Sequence, residues 1–278
     1  MIEKLSGPIR STLISGDQEN SSATESPGGP RHRIVFLHGL FGRGKNFTKV
    51  AQALSSHADS LLIDLPNHGA SGWTEHFVFE EMADLVAAHI LESFPGEGPV
   101  DLIGHSMGGK VAMVLALRHP GLIRRLVIID ISPVGRGADR GNFRHLFDSL
   151  LKIDLATLPD RRHAEKMLEE SIESASVRSF LLQNLKRTDD GFTWQPNLAL
   201  LSHELPTIMD FPDMTGRQFR GPVLWMRGEK SSYVTDEDLP AMRELFPRVL
   251  RVTVRDAGHW VHSEQPDAVI ASLTRFLL

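Results

Sequence analysis

Residues 100–119 read VDLIGHSMGGKVAMVLALRH and carry the strongest signal in the chain. An apolar run of strand length leads into GHSMG (104–108), which fits the pattern G-x-S-x-G, and a run with helical periodicity follows. A strand that turns sharply into a helix at this pattern exposes the serine hydroxyl, while the flanking glycines leave room where side chains would collide. The stretch therefore predicts a strand–turn–helix with Ser106 as a nucleophile.

Short apolar runs alternate with helical patterns on both sides of that stretch. They read as buried strands at RIVFLHG (33–39), SLLIDL (60–65), LVIIDIS (126–132), PVLWMRG (222–228) and VLRVTV (249–254). Alternation of this kind is typical of right-handed βαβ units around a mostly parallel sheet. The sequence thus predicts an α/β fold.

The alternation stops between residues 135 and 220, where the pattern gives helical segments and loops but no convincing strand. We expect residues 135–220 to form a helical cap over the strand ends, where ligands of open α/β sheets bind. Residues 1–134 and 221–278 would then form the core. Within that core, residues 16–30 are polar and rich in Ser, Gly and Pro, which predicts a flexible surface loop.

Composition excludes several kinds of protein. The 278 residues include no cysteine, so disulfides and thiolate metal sites are excluded. The formal net charge of −5 provides no basic surplus for a nucleic-acid backbone. No apolar run approaches the roughly 20 residues that span a bilayer, and the first residues lack the apolar core of a secretory signal. We therefore expect a cytoplasmic protein that acts on a small molecule, and its oligomeric state is left open.

A serine hydroxyl needs a neighbouring base, because its own pKa keeps it protonated. The segment DAGHW (256–260) follows a predicted strand and precedes the last predicted helix, which places His259 on a loop at the correct end of the sheet. His262 is the nearest alternative, but the glycine before His259 suits a residue on a tight exposed loop. His259 is therefore the predicted base.

A second loop follows the first buried strand and reads HGLFG (38–42). The backbone N–H of Leu40 or Phe41 could complete an oxyanion hole with the N–H of Met107, which opens the helix after the nucleophile. Such donors stabilise the negative charge that forms when a hydroxyl attacks a carbonyl group. The two loops and the nucleophile together predict acyl transfer.

These motifs, taken in order, resemble the α/β-hydrolase superfamily over almost the whole chain. The closest likeness is to the small esterases of the YbfF type and their mitochondrial animal relatives, on HGLFGRGKNF (38–47), PNHG (66–69), GHSMGGKVAM (104–113), IDISPV (129–134) and SFLLQNL (179–185). The resemblance implies an α/β-hydrolase fold with a helical cap inserted between strands 6 and 7. It also implies a serine esterase for short- to medium-chain acyl esters or thioesters, with a Ser-His-Asp acyl-enzyme mechanism and no metal or organic cofactor.

One departure concerns the acid of the triad. Most superfamily members carry it three residues after the glycine that ends the seventh strand, and that position is Ser231 here. Asp130 ends the strand next to the nucleophile strand, could reach His259, and preserves the order Ser, Asp, His. In the resembled subfamily the acid sits at this position, and a serine at the Ser231 position lies beside the histidine. The rival acids are Asp236, Glu229 and Asp238.

Aromatic side chains are candidates for the substrate pocket. We expect contributions from Phe41, Trp260, Phe180 and Trp194, while packing of the cap against the sheet explains most aromatic residues of the cap. An apolar pocket with few charges favours short or medium acyl groups.

Other classes of protein compete with this interpretation. Residues 39–45 satisfy G-x-x-x-x-G-K after a strand, but Asn46 stands where a hydroxyl would hold Mg²⁺, which disfavours a nucleotide-binding protein. The same fold also supports lactone opening, C–C bond hydrolysis and peroxyacid formation. The serine at position 231 leaves a non-catalytic ligand receptor open as well.

Overall fold

The computed structural model describes residues 5–16, 31–96, 98–135 and 143–278. Residues 17–30 of the predicted flexible loop and residues 136–142 of the predicted cap lie outside this part of the chain. Its strands, in chain order, are β1 (Arg10–Ile14), β2 (His32–Leu37), β3 (Ala58–Asp64), β4 (Val100–His105), β5 (Ile123–Ile129), β6 (Leu185–Thr188), β7 (Gly191–Trp194), β8 (Val223–Gly228) and β9 (Val249–Val254).

Its α-helices are α1 (Thr48–Leu54), α2 (Phe79–Ser93), α3 (Met107–Arg118), α4 (Phe143–Leu151), α5 (Arg161–Glu169), α6 (Ala175–Leu182), α7 (Leu198–His203), α8 (Leu205–Met209), α9 (Leu239–Leu245), α10 (Val261–Glu264) and α11 (Pro266–Leu277). None of these helices combines the length and the hydropathy that crossing a bilayer requires. Helices α2 and α3 pack together, and so do α1 and α11.

Seven strands form one sheet in the order β1-β3-β2-β4-β5-β8-β9, and all neighbours are parallel except β1 and β3. The predicted α/β fold with a mostly parallel sheet is confirmed. Strand β1 was not predicted, because four of its five residues are exposed at the sheet edge and leave no apolar run to detect.

The apolar runs form strands because both faces of the sheet are covered by helices. Along β2, Val35 and Leu37 contact the core cluster that includes α2 and α3, while Ile34 and Phe36 contact the cluster that includes α1 and α11. Successive side chains of a strand point to opposite faces, so a strand buried on both faces reads as a continuous apolar run.

The segment between β5 and β8 contains α4 to α8 and also the two-stranded hairpin of β6 and β7. The prediction that this segment holds no strand is therefore wrong. Both strands have only four residues, and their side chains are mostly exposed, so neither shows a buried pattern. The turn signal Asp189-Asp190-Gly191 between them was present in the sequence. By this chain's own count, the insertion lies between the fifth and sixth strands of the main sheet.

Candidate active site

Ser106 sits between the end of β4 and the start of α3 with φ of 52° and ψ of −123°. A positive φ is unfavourable for a residue with a side chain and persists only where surrounding structure imposes it. The turn is too tight for larger neighbours, since a Cβ at Gly104 would lie 2.3 Å from the carbonyl oxygen of Gly108. A Cβ at Gly108 would lie 2.3 Å from the carbonyl oxygen of His38. The two glycines of the motif are therefore required by close backbone contacts.

His259 lies on the loop after β9 and reaches both Ser106 and Asp130. Its Nε2 is 3.0 Å from Oγ of Ser106, and its Nδ1 is 2.8 Å from Oδ2 of Asp130. A carboxylate only accepts hydrogen bonds, so Nδ1 carries the proton and Nε2 is left to accept the proton of the serine. The arrangement gives the serine hydroxyl a base in the correct tautomer.

Asp130 follows β5 directly, is fully buried and has φ of 52°. Its Oδ1 accepts the backbone N–H of Gly228 at 2.9 Å, and its Oδ2 accepts the hydroxyl of Ser231 as well as Nδ1 of His259. Three donors offset the cost of burying this carboxylate. Asp130 is therefore a fixed acceptor aimed at the histidine.

The three rival acids are held elsewhere. Asp236 pairs with Arg251 at 2.6 Å, Glu229 accepts the backbone N–H of Asp256 at 3.1 Å, and Asp238 accepts the backbone N–H of Thr235 at 2.7 Å. Both ring nitrogens of His259 are already engaged by Ser106 and Asp130, which leaves no position for a second acid at the imidazole.

The predicted oxyanion loop is a β-turn that approaches the nucleophile closely. The N–H of Gly42 donates to the carbonyl of Gly39 at 2.9 Å, and a Cβ at Gly39 would lie 3.1 Å from Cβ of Ser106. Leu40 and Phe41 form the middle of this turn and line a cavity that contains Ser106. Met107 opens α3, where the first N–H groups have no partner within the helix.

Two buried histidines brace these loops without serving as bases. His38 accepts the N–H of Leu65 on Nε2 at 2.9 Å and donates from Nδ1 to the carbonyl of Gly39 at 2.8 Å. Burial lowers the pKa of His38 to about 4, so the ring is neutral at pH 7. His105 donates from Nε2 to the carbonyl of His259 at 2.8 Å, and burial holds its pKa well below the usual value.

His262, the alternative base, stacks on the ring of Phe47 with centroids 4.5 Å apart and contacts the ring of His105 edge-on. Burial lowers the pKa of His262 to about 4. Its ring is therefore a neutral packing element beside the site, in keeping with the choice of His259.

Tyr233 covers the outer face of the histidine and was not found by sequence reasoning. Its ring stacks on that of His259 with centroids 4.0 Å apart and planes 23° apart. Burial, and then the charge of Asp130, raise the pKa of Tyr233 to about 12, so the hydroxyl stays protonated. The backbone N–H of Tyr233 donates to Oγ of Ser231 at 3.2 Å. This contact fixes the Ser231 hydroxyl, which in turn donates a hydrogen bond to Asp130.

The carboxylate of Asp64, the last residue of β3, contacts the glycine-rich loop of residues 39–45 that resembled a phosphate-binding sequence. Its Oδ1 accepts the N–H of Gly44 at 2.8 Å, and its Oδ2 accepts the N–H of Ala70 at 2.9 Å. A carboxylate at this place repels phosphate, which is further evidence against a nucleotide-binding loop. Asp64 thus joins two loops and has a structural role.

Two cavities meet at Ser106. The first cavity is bordered by the oxyanion loop, α4, α6 and the histidine loop, through Phe41, Phe143, Val177, Phe180 and Trp260. The second cavity lies toward β5 and α8 and is lined mostly by apolar side chains, namely Leu40, Ile131, Val134, Ile208 and Met209, with Lys110 and Tyr233. Of the four predicted pocket residues, Phe41, Phe180 and Trp260 line the first cavity, whereas Trp194 lines neither and packs against the core cluster.

A wider groove of about 260 Å³ adjoins the first cavity and shares Phe180 and Trp260 with it. Its other walls carry polar side chains from the start of α6 and from α10, which are Ser174, Ser176, Ser263 and Glu264. The surroundings of Ser106 are thus apolar on one side and polar on the other.

The chain is similar to known proteins over most of its length. A family model described as alpha/beta hydrolase fold matches residues 32–266. The "sn-1-specific diacylglycerol lipase ABHD11" of Mus musculus is 37% identical over 255 residues, covering 88% of this chain and 80% of that protein. "Esterase YbfF" of Escherichia coli (strain K12) is 30% identical over 245 residues, covering 88% of this chain and 92% of that protein. A solved structure described as "Marine microorganism esterase" has a TM-score of 0.88 and 31% identity, and covers 99% of this chain and 100% of its own. The predicted resemblance to the superfamily and to YbfF-type esterases is confirmed.

Proposed function

Since this chain belongs to the α/β-hydrolase fold family and is a carboxylic ester hydrolase, we propose that Ser106, His259 and Asp130 are its catalytic triad. The observation that carries the proposal is the continuous line of hydrogen bonds from Oγ of Ser106 through both nitrogens of His259 to Oδ2 of Asp130, with distances of 3.0 and 2.8 Å. These distances are those required of a nucleophile, its base and the group that orients the base.

The reaction proceeds in two steps through an acyl enzyme. Nε2 of His259 accepts the hydroxyl proton as Oγ of Ser106 attacks the carbonyl carbon of the substrate, and the protonated imidazole then donates to the departing oxygen or sulfur. A water molecule attacks the acyl group in turn, with His259 as base, and releases the acid. The carboxylate of Asp130 stabilises the imidazolium that forms in each step.

The oxyanion of each tetrahedral intermediate would lie between the N–H of Met107 and an N–H of the turn that contains Leu40 and Phe41. Fixed donors at such a position are worth several kcal/mol, because they need no reorganisation when the charge forms. The placement of this turn against Ser106 supports the assignment.

Ser231 takes the place that holds the acid in most of the superfamily, and we assign it an auxiliary role. Its hydroxyl and the N–H of Gly228 restrain the two oxygens of Asp130, so that the carboxylate faces His259. A non-catalytic receptor was favoured only by the missing acid at position 231, and Asp130 supplies a carboxylate to the same histidine. We therefore favour the enzyme over the receptor.

We propose short- to medium-chain acyl esters or thioesters as substrates. The apolar second cavity suits an acyl chain, while the first cavity and the polar groove suit a leaving group with polar atoms. The position of α4 and α6 over Ser106 supports the division into a core and a cap of residues 135–220. The cytoplasmic location stays a prediction of the sequence.

The decisive experiment is hydrolysis of p-nitrophenyl butyrate by the purified wild type and by Ser106→Ala. We expect turnover by the wild type and a loss of about 10⁴-fold or more in the variant. Ser60→Ala, which removes a buried hydroxyl on β3, is the matched control and should keep the wild-type rate. Equal rates in wild type and Ser106→Ala would overturn the proposal.

A substrate panel then separates the chemistries open to this site. It contains butyrate and octanoate esters, the matching thioesters, a lactone and a diacylglycerol, which the name of the mouse relative suggests. We expect the largest kcat/KM on esters or thioesters whose acyl chains have about four to eight carbons. This range follows from the usual size of ligand pockets. A preference for the lactone would reassign the enzyme within the same mechanism.

A further inference from the structure

The aromatic ring of Tyr233 lies nearly parallel to the imidazole of His259 at contact distance. The two centroids are 4.0 Å apart, and the two planes differ by 23°. The other rings that contact His259 in the described part of the chain include those of His105 and Trp260, which lie at 4.8 and 5.8 Å and are inclined by 43° and 65°. Tyr233 therefore presents its face to the imidazole and leaves no room for water between the two rings.

The loop after β8 fixes the ring of Tyr233 through its neighbours. The N–H of Tyr233 donates to Oγ of Ser231 at 3.2 Å, and the carbonyl of Val234 accepts Nη1 of Arg227 at 3.1 Å. Val234 is buried, and the ring of Tyr233 packs against the core cluster that includes α2 and α3. The stacked geometry is thus fixed by the loop itself, which is what preorganised stabilisation of a charge requires.

The imidazole of His259 changes from neutral to positively charged in each step of the proposed reaction. The face of an aromatic ring carries negative charge, so it attracts a cation within about 6 Å of its centroid more strongly than a neutral group. Asp130 is the anion that faces the imidazole, and burial lowers the pKa of both His105 and His262, so these neighbouring rings are neutral. The ring of Tyr233 therefore stabilises the transition state more than the ground state, and such a difference raises kcat.

We infer that the ring face of Tyr233 contributes to catalysis by stabilising the imidazolium of His259. The inference rests on the proposed function, because the charge forms only if His259 accepts a proton from Ser106. The hydroxyl group of Tyr233 takes no part in this role, since the ring face makes the contact with the histidine.

Two other roles for the ring predict a different pH dependence. The acid limb of the pH profile of kcat/KM reports protonation of the base in the free enzyme. If the ring stabilises the cation, its removal moves this limb to lower pH, because the charged form loses a favourable contact. If the ring only excludes water, its removal lets water solvate the charged form and moves the limb to higher pH. A ring that only holds the histidine in place affects kcat and leaves the limb unmoved.

Tyr233→Phe and Tyr233→Leu separate the ring from the hydroxyl group. Tyr233→Phe keeps the ring face and is the reference, with p-nitrophenyl butyrate as substrate. Relative to it, Tyr233→Leu should lower kcat by about 3- to 10-fold and move the acid limb by about half a pH unit to lower pH. Equal kcat in the two variants, or a limb that stays in place or moves to higher pH, overturns the inference. The control is Phe276→Leu, which removes a partly buried ring from α11 and should leave both quantities at their wild-type values.

Fluorinated phenylalanines at position 233 test the charge of the ring face at nearly constant size, and they remain informative if Tyr233→Leu does not fold. Each fluorine withdraws electrons from the ring face and weakens its attraction for a cation. From phenylalanine through the monofluoro to the trifluoro side chain, we expect the acid limb to move stepwise to lower pH and kcat to fall stepwise, by about threefold in total. If either quantity stays constant across the series, the inference is overturned. Ser106→Ala assayed in parallel distinguishes the two levels, because turnover that survives without Ser106 overturns the proposed function instead.

Discussion

The hydroxyl group of Ser231 donates a hydrogen bond to Oδ2 of Asp130. The same oxygen accepts Nδ1 of His259, so the serine and the histidine share one acceptor atom. In Ser231→Ala, Asp130 keeps the histidine and the N–H of Gly228 as donors, and one hydrogen bond is lost. We expect kcat to fall by about 10-fold, near the lower end for a hydrogen bond to a charged acceptor, because Asp130 keeps its other two donors. Steady-state kinetics on p-nitrophenyl butyrate measure it, and a loss as large as that of Ser106→Ala would contradict the auxiliary role of Ser231.

Asp130→Asn should have a much larger effect than Ser231→Ala. An amide at this position can donate to Nδ1 of His259 and stabilise the wrong tautomer, in which Nε2 carries the proton and cannot accept from Ser106. We expect kcat to fall by roughly 10⁴-fold. The control is Asp236→Asn, which removes an exposed ion pair with Arg251 and should stay close to the wild-type rate. A loss no greater than that of the control would remove Asp130 from the triad.

His105 should act on catalysis through the backbone of His259. Its Nε2 donates to the carbonyl of His259, and the two rings lie 4.8 Å apart. Removing the ring in His105→Ala leaves this carbonyl without its donor and loosens the loop, so we expect kcat to fall by about tenfold. His105→Gln, whose amide can still donate, should recover part of that loss. Equal kinetics in the two variants would show that the hydrogen bond is unimportant.

The sequence alone was sufficient to predict the site residues that lie in strong local motifs at the ends of strands. Ser106 and His259 could be predicted because each lies in a glycine-containing loop between a strand and a helix. Asp130 was harder to assign, because its contact with His259 depends on which strands are neighbours. The order β5, β8, β9 brings Asp130 and His259, which are 129 positions apart, within 2.8 Å.

Other contacts of the site had no signal in the sequence, although Asn184 and His105 lie within motifs that carry the resemblance. Asn184 meets Phe41 across 143 positions, and His105 meets His259 across 154. Neither contact produces a recognisable periodicity or residue spacing in the sequence, because each depends on how a loop packs in three dimensions. Tyr233 is the only tyrosine of the chain, yet its stacking on His259 follows from the loop after β8 and from no local pattern.

Substitutions that narrow one cavity at a time can show which of the two cavities at Ser106 binds the acyl chain and which binds the leaving group. Val134→Phe narrows the second cavity, and Val177→Phe narrows the first cavity and the groove. If the acyl chain occupies the second cavity, Val134→Phe should lower kcat/KM for an octanoate ester about tenfold more than for an acetate ester. Val177→Phe should instead discriminate between leaving groups of different size. The reverse pattern would exchange the two assignments.

Buried neutral histidines should make the fold sensitive to acid. Burial lowers the pKa of His38 and His262 to about 4 and that of His68 to about 3, below the unfolded value near 6.5. Between pH 6.5 and 4 the unfolded chain therefore binds more protons than the folded one. The contribution of each such histidine to the free energy of unfolding is therefore complete above pH 6.5. It falls by roughly 1.4 kcal/mol per pH unit as the pH decreases toward 4.

His262→Phe isolates one of these contributions. The ring stacks on Phe47, and its Nδ1 has no hydrogen-bond partner in the described part of the chain, so an apolar ring suits the position. Urea unfolding at pH 7 and pH 5 should show a loss of stability on acidification that is smaller than in the wild type by about 2 kcal/mol. His57→Gln, a change at an exposed histidine, should retain the wild-type loss because that side chain is in water in both states. An unchanged loss in His262→Phe would mean that the buried ring accepts a proton in the folded protein as easily as in the unfolded chain.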